Sequence, residues 1–418
     1  MKISKLFLLF FTGLLVACQN TGYENVFEES PSERRQEFFE KFHTTLTSSD
    51  NGWVIQYFIM PESVGYNIIA VFDPSGSVKM GAKHLYTNNV YQEYTSKYET
   101  GIETGPMLSF VTYNTALFPF CDPDINRATF SDFEFSIQEV TDDLILMRGK
   151  KSEAEIWMKR LPANTTGEEY VLQAEGMKNF LFSPTAPDLQ LHVGEKSFII
   201  ANGYSSIFTI NEIGNDTAEF IPIITTPEGF RLYKSFEVGD VAIRSFRLNE
   251  KKDLLICNEN TDIQISGYDD IADYFVKNIT SVWTMDVNNL SPQVFDLFRK
   301  IEQSSQQVFG ASNMSLAIAH TTGRNSFSLR LSFLRNNSII QGNIDLPVSY
   351  IDKNKISFTY TANGDNNGIR FIEQIDGIVE MAQLLATSFT LNSNSIFNPA
   401  NIKFTKEHEP DVWFQAIK

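Results

Sequence analysis

The sequence predicts a mainly β protein, built of antiparallel sandwich or barrel-like units with a few short helices. Three observations carry that expectation. Short runs with period-two alternation recur along most of the chain, bounded by Gly, Asn, Asp or Pro. Helical spacing of apolar residues is confined to a handful of segments. Hydrophobic residues make up 42% of the chain and charged residues 20%, enough apolar material for sizeable cores and too much for a disordered chain. At roughly 100–200 residues per domain, 418 residues predict two to three domains.

The first element is not part of the fold. Residues 1–17 read as a signal peptide: Lys2 and Lys5 give a positive start, and Leu6 to Val16 is apolar. That run is too short for a bilayer core of about 30 Å at about 1.5 Å per residue. Leu15-Val16-Ala17-Cys18 resembles the bacterial lipobox, which implies that Cys18 becomes the lipidated first residue of the mature chain. Two or three acyl chains give a durable anchor where one binds only marginally. Residues 18–30 are polar and acidic and read as the tether, and Gln19 in place of Asp favours the outer membrane, with display at the cell surface left open. Removing residues 1–17 takes two lysines and moves the net charge from −17 to −19.

Residues 31–265 are expected to form a β-rich region, with a possible split near residue 165. Ser30-Pro31-Ser32-Glu33 is a capping box that starts a helix carrying Phe38, Phe42 and Leu46 on one face and ending near Ser48. Strands are expected over 53–60, 66–72, 77–80, 91–98 and 107–113, and alternation resumes over 133–138. The runs 144–148 and 155–159 flank a hairpin at Gly149-Lys150-Lys151-Ser152. Residues 170–265 continue as strands, over 189–193, 197–201, 206–210, 219–223 and 241–248. The pattern changes near 265–270, and residues 270–418 are expected to be a second β-rich unit with helices. Those helices are expected over 270–278, from Ser291-Pro292 to before Gly310, and over 370–386. Strands are expected over 314–319, 326–334, 339–346, 355–361, 402–404 and 412–416. A helix followed by antiparallel strands thus occurs at 31–60 and again at 292–319.

Charge and motif limit the function. With 34 Lys+Arg against 51 Asp+Glu and no basic run, nucleic acid is not expected as a partner, nor is a polybasic membrane patch. The histidines His43, His84, His192, His320 and His408 lack metal-site spacing, so no metal or other cofactor is expected. Gly203-Tyr204-Ser205-Ser206-Ile207 lacks the last glycine of a nucleophile elbow. Gly149-Lys150-Lys151-Ser152 lacks the upstream glycine and following helix of a phosphate loop. The alternating Asp122, Asp124, Asn126 and Asn363, Asp365, Asn367 read as turns rather than calcium loops, although calcium is left open. Tyr86, Tyr91, Tyr94 and Tyr98 read as one face of a half-buried strand, the alternative being a sugar-stacking platform. Whether Cys121 and Cys257 pair is left open.

Gly52-Trp53, Pro106-Met107-Leu108-Ser109-Phe110, Thr112-Tyr113-Asn114, Asp122-Pro123, Asp132-Phe133-Glu134-Phe135 and Leu146-Met147-Arg148-Gly149-Lys150-Lys151 follow one another in a shared order. With the lipobox start, this order resembles a family of uncharacterised Bacteroidetes-type lipoproteins, known as a domain of unknown function, over residues 18–265. The resemblance implies an accessory role beside starch-utilisation-type outer-membrane uptake systems. It supplies no catalytic residue. The expected function is a non-catalytic lipoprotein, held to the membrane through its N-terminal anchor. It would bind a glycan or protein ligand, in a possible complex with an outer-membrane transporter. A lipid-anchored hydrolase of polysaccharide or peptide and a structural or adhesive surface protein are the alternatives.

Overall fold

The chain is mainly β, in two eight-stranded antiparallel barrels followed by a nine-stranded sheet. The computed structural model describes residues 30–103, 105–125, 131–201, 203–321 and 326–418. The signal peptide and the tether up to residue 29, Cys18 included, lie outside them, as does Asn126.

Helix α1 (Pro31–Thr47) starts as its sequence requires: the Glu33 amide donates to Ser30 Oγ and the Ser30 amide donates back to the Glu33 carboxylate. That bond from Ser30 holds the Glu33 carboxyl below the usual carboxylate range. Phe42 and Leu46 are fully buried in the first barrel's core, and Trp53 Nε1 donates to the Leu46 carbonyl at 2.9 Å, joining helix to barrel. The strands follow in chain order: β1 (Trp53–Phe58), β2 (Gly65–Asp73), β3 (Ser77–Ala82), β4 (Gln92–Ile102), β5 (Pro106–Phe110), β6 (Glu134–Val140), β7 (Leu144–Gly149) and β8 (Glu155–Arg160). Each pairs with the next, and β8 returns to β1 with Trp53 opposite Arg160. Closure removes the unpaired edges a flat meander would expose.

The second barrel repeats this plan. Helix α2 (Gly167–Leu181) is opened by a capping box at Thr166 and Glu169. It leads into β9 (Leu189–Val193), β10 (Lys196–Ala201), β11 (Ile207–Glu212), β12 (Ala218–Thr226), β13 (Gly229–Val238), β14 (Val241–Leu248), β15 (Leu254–Cys257) and β16 (Gln264–Ser266). Strand β9 pairs with both β10 and β16, which closes the ring. Leu181 and Phe182 enter this core much as Phe42 and Leu46 enter the first. A helix followed by antiparallel strands does occur at 31–60 and at 292–319, but the larger unit that recurs is helix plus eight-stranded meander, at 31–160 and 167–266. In the C-terminal part a strand, β17 (Val282–Leu290), precedes helix α4 (Pro292–Phe309).

After a short helix α3 (Ile271–Lys277), the strands β17, β18 (Ser312–Thr321), β19 (Ser326–Arg335), β20 (Ser338–Asp345), β21 (Val348–Asp352), β22 (Lys355–Phe358), β23 (Ser388–Ser393), β24 (Asn401–Lys406) and β25 (Trp413–Ile417) form one sheet, in the order 20-19-18-17-25-24-23-22-21. Alternate residues of β19 (Phe327, Leu329, Leu331, Phe333) share a core with Val294, Phe298 and Ile301 of α4. Phe371 of α5 (Asn366–Gln374) and Met381 of α6 (Ile378–Leu385) lie in the same core, so the helices cover this face of the sheet. The run 370–386, expected as one helix, is divided between α5 and α6. Gly377, at φ +90°, takes the left-handed conformation that breaks it. Ser291 does stand at the start of α4, but its hydroxyl accepts from the Trp413 amide at 3.0 Å instead of capping the helix.

Two seams join the parts. Tyr170 and Val171 of α2 pack on Val54 and Ile69, which point out of the first barrel, so α2 is wedged between the barrels. Farther on, Phe397 of the third sheet's β23–β24 connection is buried in the second barrel's core. The Asn398 side chain donates to the Asn179 carbonyl at 2.8 Å, and Ser395 Oγ donates to the Phe180 carbonyl at 2.6 Å.

Candidate functional site

Strand pleating decides what stands between the barrels. On β8, Ile156 and Met158 point into the first core, so Glu155, Trp157 and Lys159 point out. On β1, Gln56 points out between Ile55 and Tyr57. On β13, Phe230 and Leu232 point into the second core, so Arg231 and Tyr233 point back at the first barrel. Of these, Gln56, Lys159 and Arg231 line a cleft of about 260 Å³, with Trp157 packed behind the two cations. Gln56 and Arg231 form its buried end, Lys159 is half-buried, and Arg247 and Glu228 are exposed at its rim.

Arg231 is only 2% exposed. Its Nε donates to Gln56 Oε1 at 2.7 Å, and its Nη1 donates to the Leu232 carbonyl at 3.3 Å. Its guanidinium lies 4.3 Å from the Trp157 ring centroid, with Arg244 at 4.6 Å and Lys159 at 5.1 Å from the same ring. An indole face stabilises each cation by about 0.5–2 kcal/mol, well short of the several kcal/mol that desolvation costs an ion. Arg244 is ion-paired with Glu155, which also accepts from Trp157 Nε1 at 2.6 Å. Arg231 has no such partner among the described residues: its Nη2 and the Gln56 Nε2 are buried without a hydrogen bond. Burial, and then the charge of Arg244, push the Arg231 pKa down to about 9, which leaves it cationic at neutral pH. Burial, and next the charge of Arg231, lower Lys159, whose Nζ has no carboxylate within ion-pairing distance among the described residues. Four cations (Lys159, Arg160, Arg231, Arg247) line the cleft against one carboxylate, Glu228, on a chain whose net charge is −17.

The features singled out in the sequence lie elsewhere and have partners of their own. The Gly149–Ser152 tip does bind an anion, and it is internal: the Asp132 carboxylate accepts from the Lys151 amide at 2.5 Å and the Ser152 amide at 2.8 Å. A side chain at Gly149 would run into that carboxylate. Gly203–Ser205 is a single 3-10 turn. Asp365 caps α5 through the Gly368 amide at 2.7 Å and accepts from the Asn343 side chain at 2.6 Å. Asp122 accepts from the Asp124 amide at 2.9 Å in an Asx turn. Tyr98 is buried and donates to the Asp73 carbonyl at 2.9 Å, Tyr86 packs on His84 and Phe120, and Tyr91 and Tyr94 are half-buried. Cys121 and Cys257 are free buried thiols, Cys121 in the β5–β6 connection 3.7 Å from the Tyr57 hydroxyl of the first barrel and Cys257 in the second core. The histidines are dispersed. His84 is buried with Nε2 3.2 Å from the Ala116 carbonyl, and His192 pairs with Ser197 at 2.9 Å. No cluster of three metal-ligating side chains occurs among the described residues.

Gln56, Trp157, Lys159 and Arg231 escape sequence reasoning because nothing short in the chain joins them. Two signals existed. Trp53-Val54-Ile55-Gln56-Tyr57-Phe58 is apolar on both faces, the mark of a strand covered on both sides, so its one amide needs a buried partner. Arg231 stands between Phe230 and Leu232 in β13, a strand not among those expected from the sequence, although Gly229 and the alternation after it are strand signals.

The family described as "Domain of unknown function (DUF4302)" matches residues 23–250. Both barrels except β15 and β16 fall within that span. No curated protein matches the chain. Among solved structures, the β chain of DNA polymerase III from Streptococcus pneumoniae is similar at 10% identity and a TM-score of 0.14, over 92% of this chain and 97% of that one. Kievitone hydratase from Nectria haematococca is similar at 10% identity and a TM-score of 0.13, over 90% of each chain. Transferrin binding protein B from Haemophilus parasuis is similar at 8% identity and a TM-score of 0.14, over 84% of this chain and 65% of that one. Likeness at that level carries no functional argument.

Proposed function

The chain belongs to the DUF4302 family, and from that premise we propose that it is a non-catalytic, lipid-anchored binding protein of the bacterial outer membrane. It serves as an accessory to an uptake transporter and holds a glycan or protein ligand in the cleft between its two barrels. The observation that carries this reading is the pair of buried polar atoms, Arg231 Nη2 and Gln56 Nε2, left without protein partners at the end of an open cleft. Such groups are costly to bury unpaired, and a ligand relieves the cost.

The anchor rests on Leu15-Val16-Ala17-Cys18. No described helix is long and apolar enough to cross a membrane. Cys18→Ser should release the protein from the membrane fraction in high salt, and persistence there would count against the lipobox. Binding is tested with the purified chain on an array of glycans and by capture of a co-expressed transporter. Turnover of a polysaccharide or peptide by clean protein, lost on changing one cleft residue, would replace binding with catalysis.

A further inference from the structure

We propose that the inter-barrel cleft binds an oxyanion: the carboxylate, sulfate or phosphate group of its ligand docks between Arg231 and Lys159. This rests on the binding reading above and names the chemistry of the ligand.

The two cations come from different barrels, Lys159 from β8 and Arg231 from β13, so the site exists only where the barrels meet. Every other charge that lines or flanks the cleft can be placed. Arg160 is held by the Asp142 carbonyl at 2.8 Å, by Ser48 and by Asp143. Arg244 and Glu155 neutralise each other. Glu259 accepts from the Ser245 amide and hydroxyl, from the Arg244 amide and from Cys257. Arg247 donates to Asn258 at 2.6 Å and remains exposed. Glu228 is exposed at the rim, and its field acts on Lys159 without an ion pair. Arg244 Nε is also buried without a partner but does not line the cleft, which leaves Arg231, Gln56 and Lys159 as the lining residues with donors (Nη2, Nε2 and the ammonium) that have no acceptor.

All three are donors and none accepts, which suits a group with two or three oxygens and no hydrogen to give. A neutral sugar hydroxyl would satisfy one donor, bring no charge to offset the two cations, and have to turn its own proton toward lining groups such as Glu228 or Ser245. Burial lowers both Lys159 and Arg231, and the neighbouring cations Arg231 and Arg244 lower them further in turn, so a docked oxyanion offsets both costs.

The test is calorimetric titration of the full chain, purified in detergent, with D-glucuronate, inorganic sulfate, inorganic phosphate and neutral D-glucose. At least one of the three anions should bind at millimolar concentration or tighter and weaken as salt rises. The anion preferred identifies the source: an acidic sugar, a sulfated sugar or a phosphorylated ligand. Lys159→Gln should weaken that binding by about tenfold or more, the scale of one charge-assisted hydrogen bond. Arg231→Lys, which keeps the charge and loses the fork, should weaken it likewise. Trp157→Phe should abolish the change in tryptophan fluorescence that binding produces. Binding of D-glucose alone would overturn the oxyanion proposal while leaving the binding function standing. Oxyanion binding indifferent to both Lys159→Gln and Arg231→Lys would overturn the assignment of the site. Failure of every probe would overturn the proposal, with the glycan array and transporter capture still deciding the broader function.

Discussion

The two barrels share one plan and differ in what their leading helices touch. Helix α1 serves one core: Phe42 and Leu46 enter the first barrel, and much of the rest of the helix faces solvent. Helix α2 serves two surfaces: Leu181 and Phe182 belong to the second core, whereas Tyr170 and Val171 lie against the outside of the first barrel. Strand pairing closes each ring by itself, while Ile224 of β12 joins the first core and Phe397 the second. The shared helix brings their outer walls together, and there, at the end of an open cleft, buried polar side chains are left short of partners. Position in the assembly, more than barrel architecture, sets where unpartnered polar groups meet a cavity.

The comparison is tested most severely at the leading helices. Phe42→Ala and Phe182→Ala should each cost about 3–5 kcal/mol, measured by denaturant unfolding. Their reach should differ. Phe182→Ala should loosen α2 and lower hydrogen-exchange protection of β1 in the first barrel, while Phe42→Ala should leave β10 of the second protected. Equal reach for both would mean that α2 is not the shared element.

The seam itself is the next test. Gln56→Leu should cost about 1.5–3 kcal/mol, because it removes the side-chain acceptor of a buried guanidinium. Adding Arg231→Met should recover most of that loss, since an apolar pair of similar shape leaves nothing unsatisfied. Additive losses in the double variant would show that Gln56 acts through packing alone.

Acid should separate the barrels by a smaller amount. Burial lowers the His84 pKa in the first barrel, outweighing the contact with the Ala116 carbonyl. The folded protein then binds fewer protons than the unfolded chain. The contribution is present in full above the unfolded value of about 6.5 and is lost as pH falls from there through the depressed folded value. First-barrel amides should therefore lose protection below about pH 6.5 sooner than second-barrel amides, and His84→Asn should remove the difference. The smallest effect expected is at the helix starts: Ser30→Ala and Thr166→Ala should each cost about 1 kcal/mol, read as a lowered Tm.

Local pattern made much of this fold legible. The capping box at Ser30, the strands from Trp53 to Arg160 and the helices at Ile271 and Pro292 follow from spacing and turn residues that act within one segment. Helix α2 was hidden although Thr166 and Glu169 carry the same box as Ser30 and Glu33, because its mean hydrophobic periodicity is weak and the neighbouring strands suggested more of the same. Barrel closure was beyond reach for another reason. The pairing of β1 with β8 joins residues about a hundred positions apart, and nothing local encodes it. The cleft compounds that difficulty, since Gln56 and Arg231 meet across 175 positions and have meaning only as a pair.

Phe397 sets a clock on assembly. The first barrel has all its strands once Arg160 has emerged and its whole core cluster once Ile224 of β12 follows, whereas the second, complete in its strands at Ser266, lacks one buried ring until Phe397 arrives. A chain appearing N-terminus first at roughly 5–20 residues per second needs about 7–26 s to cover the roughly 130 residues between them. For that interval the second barrel stands with an open apolar socket. Any holding factor that engages the nascent chain should find it there, and should be displaced when the β23–β24 connection closes the socket from within.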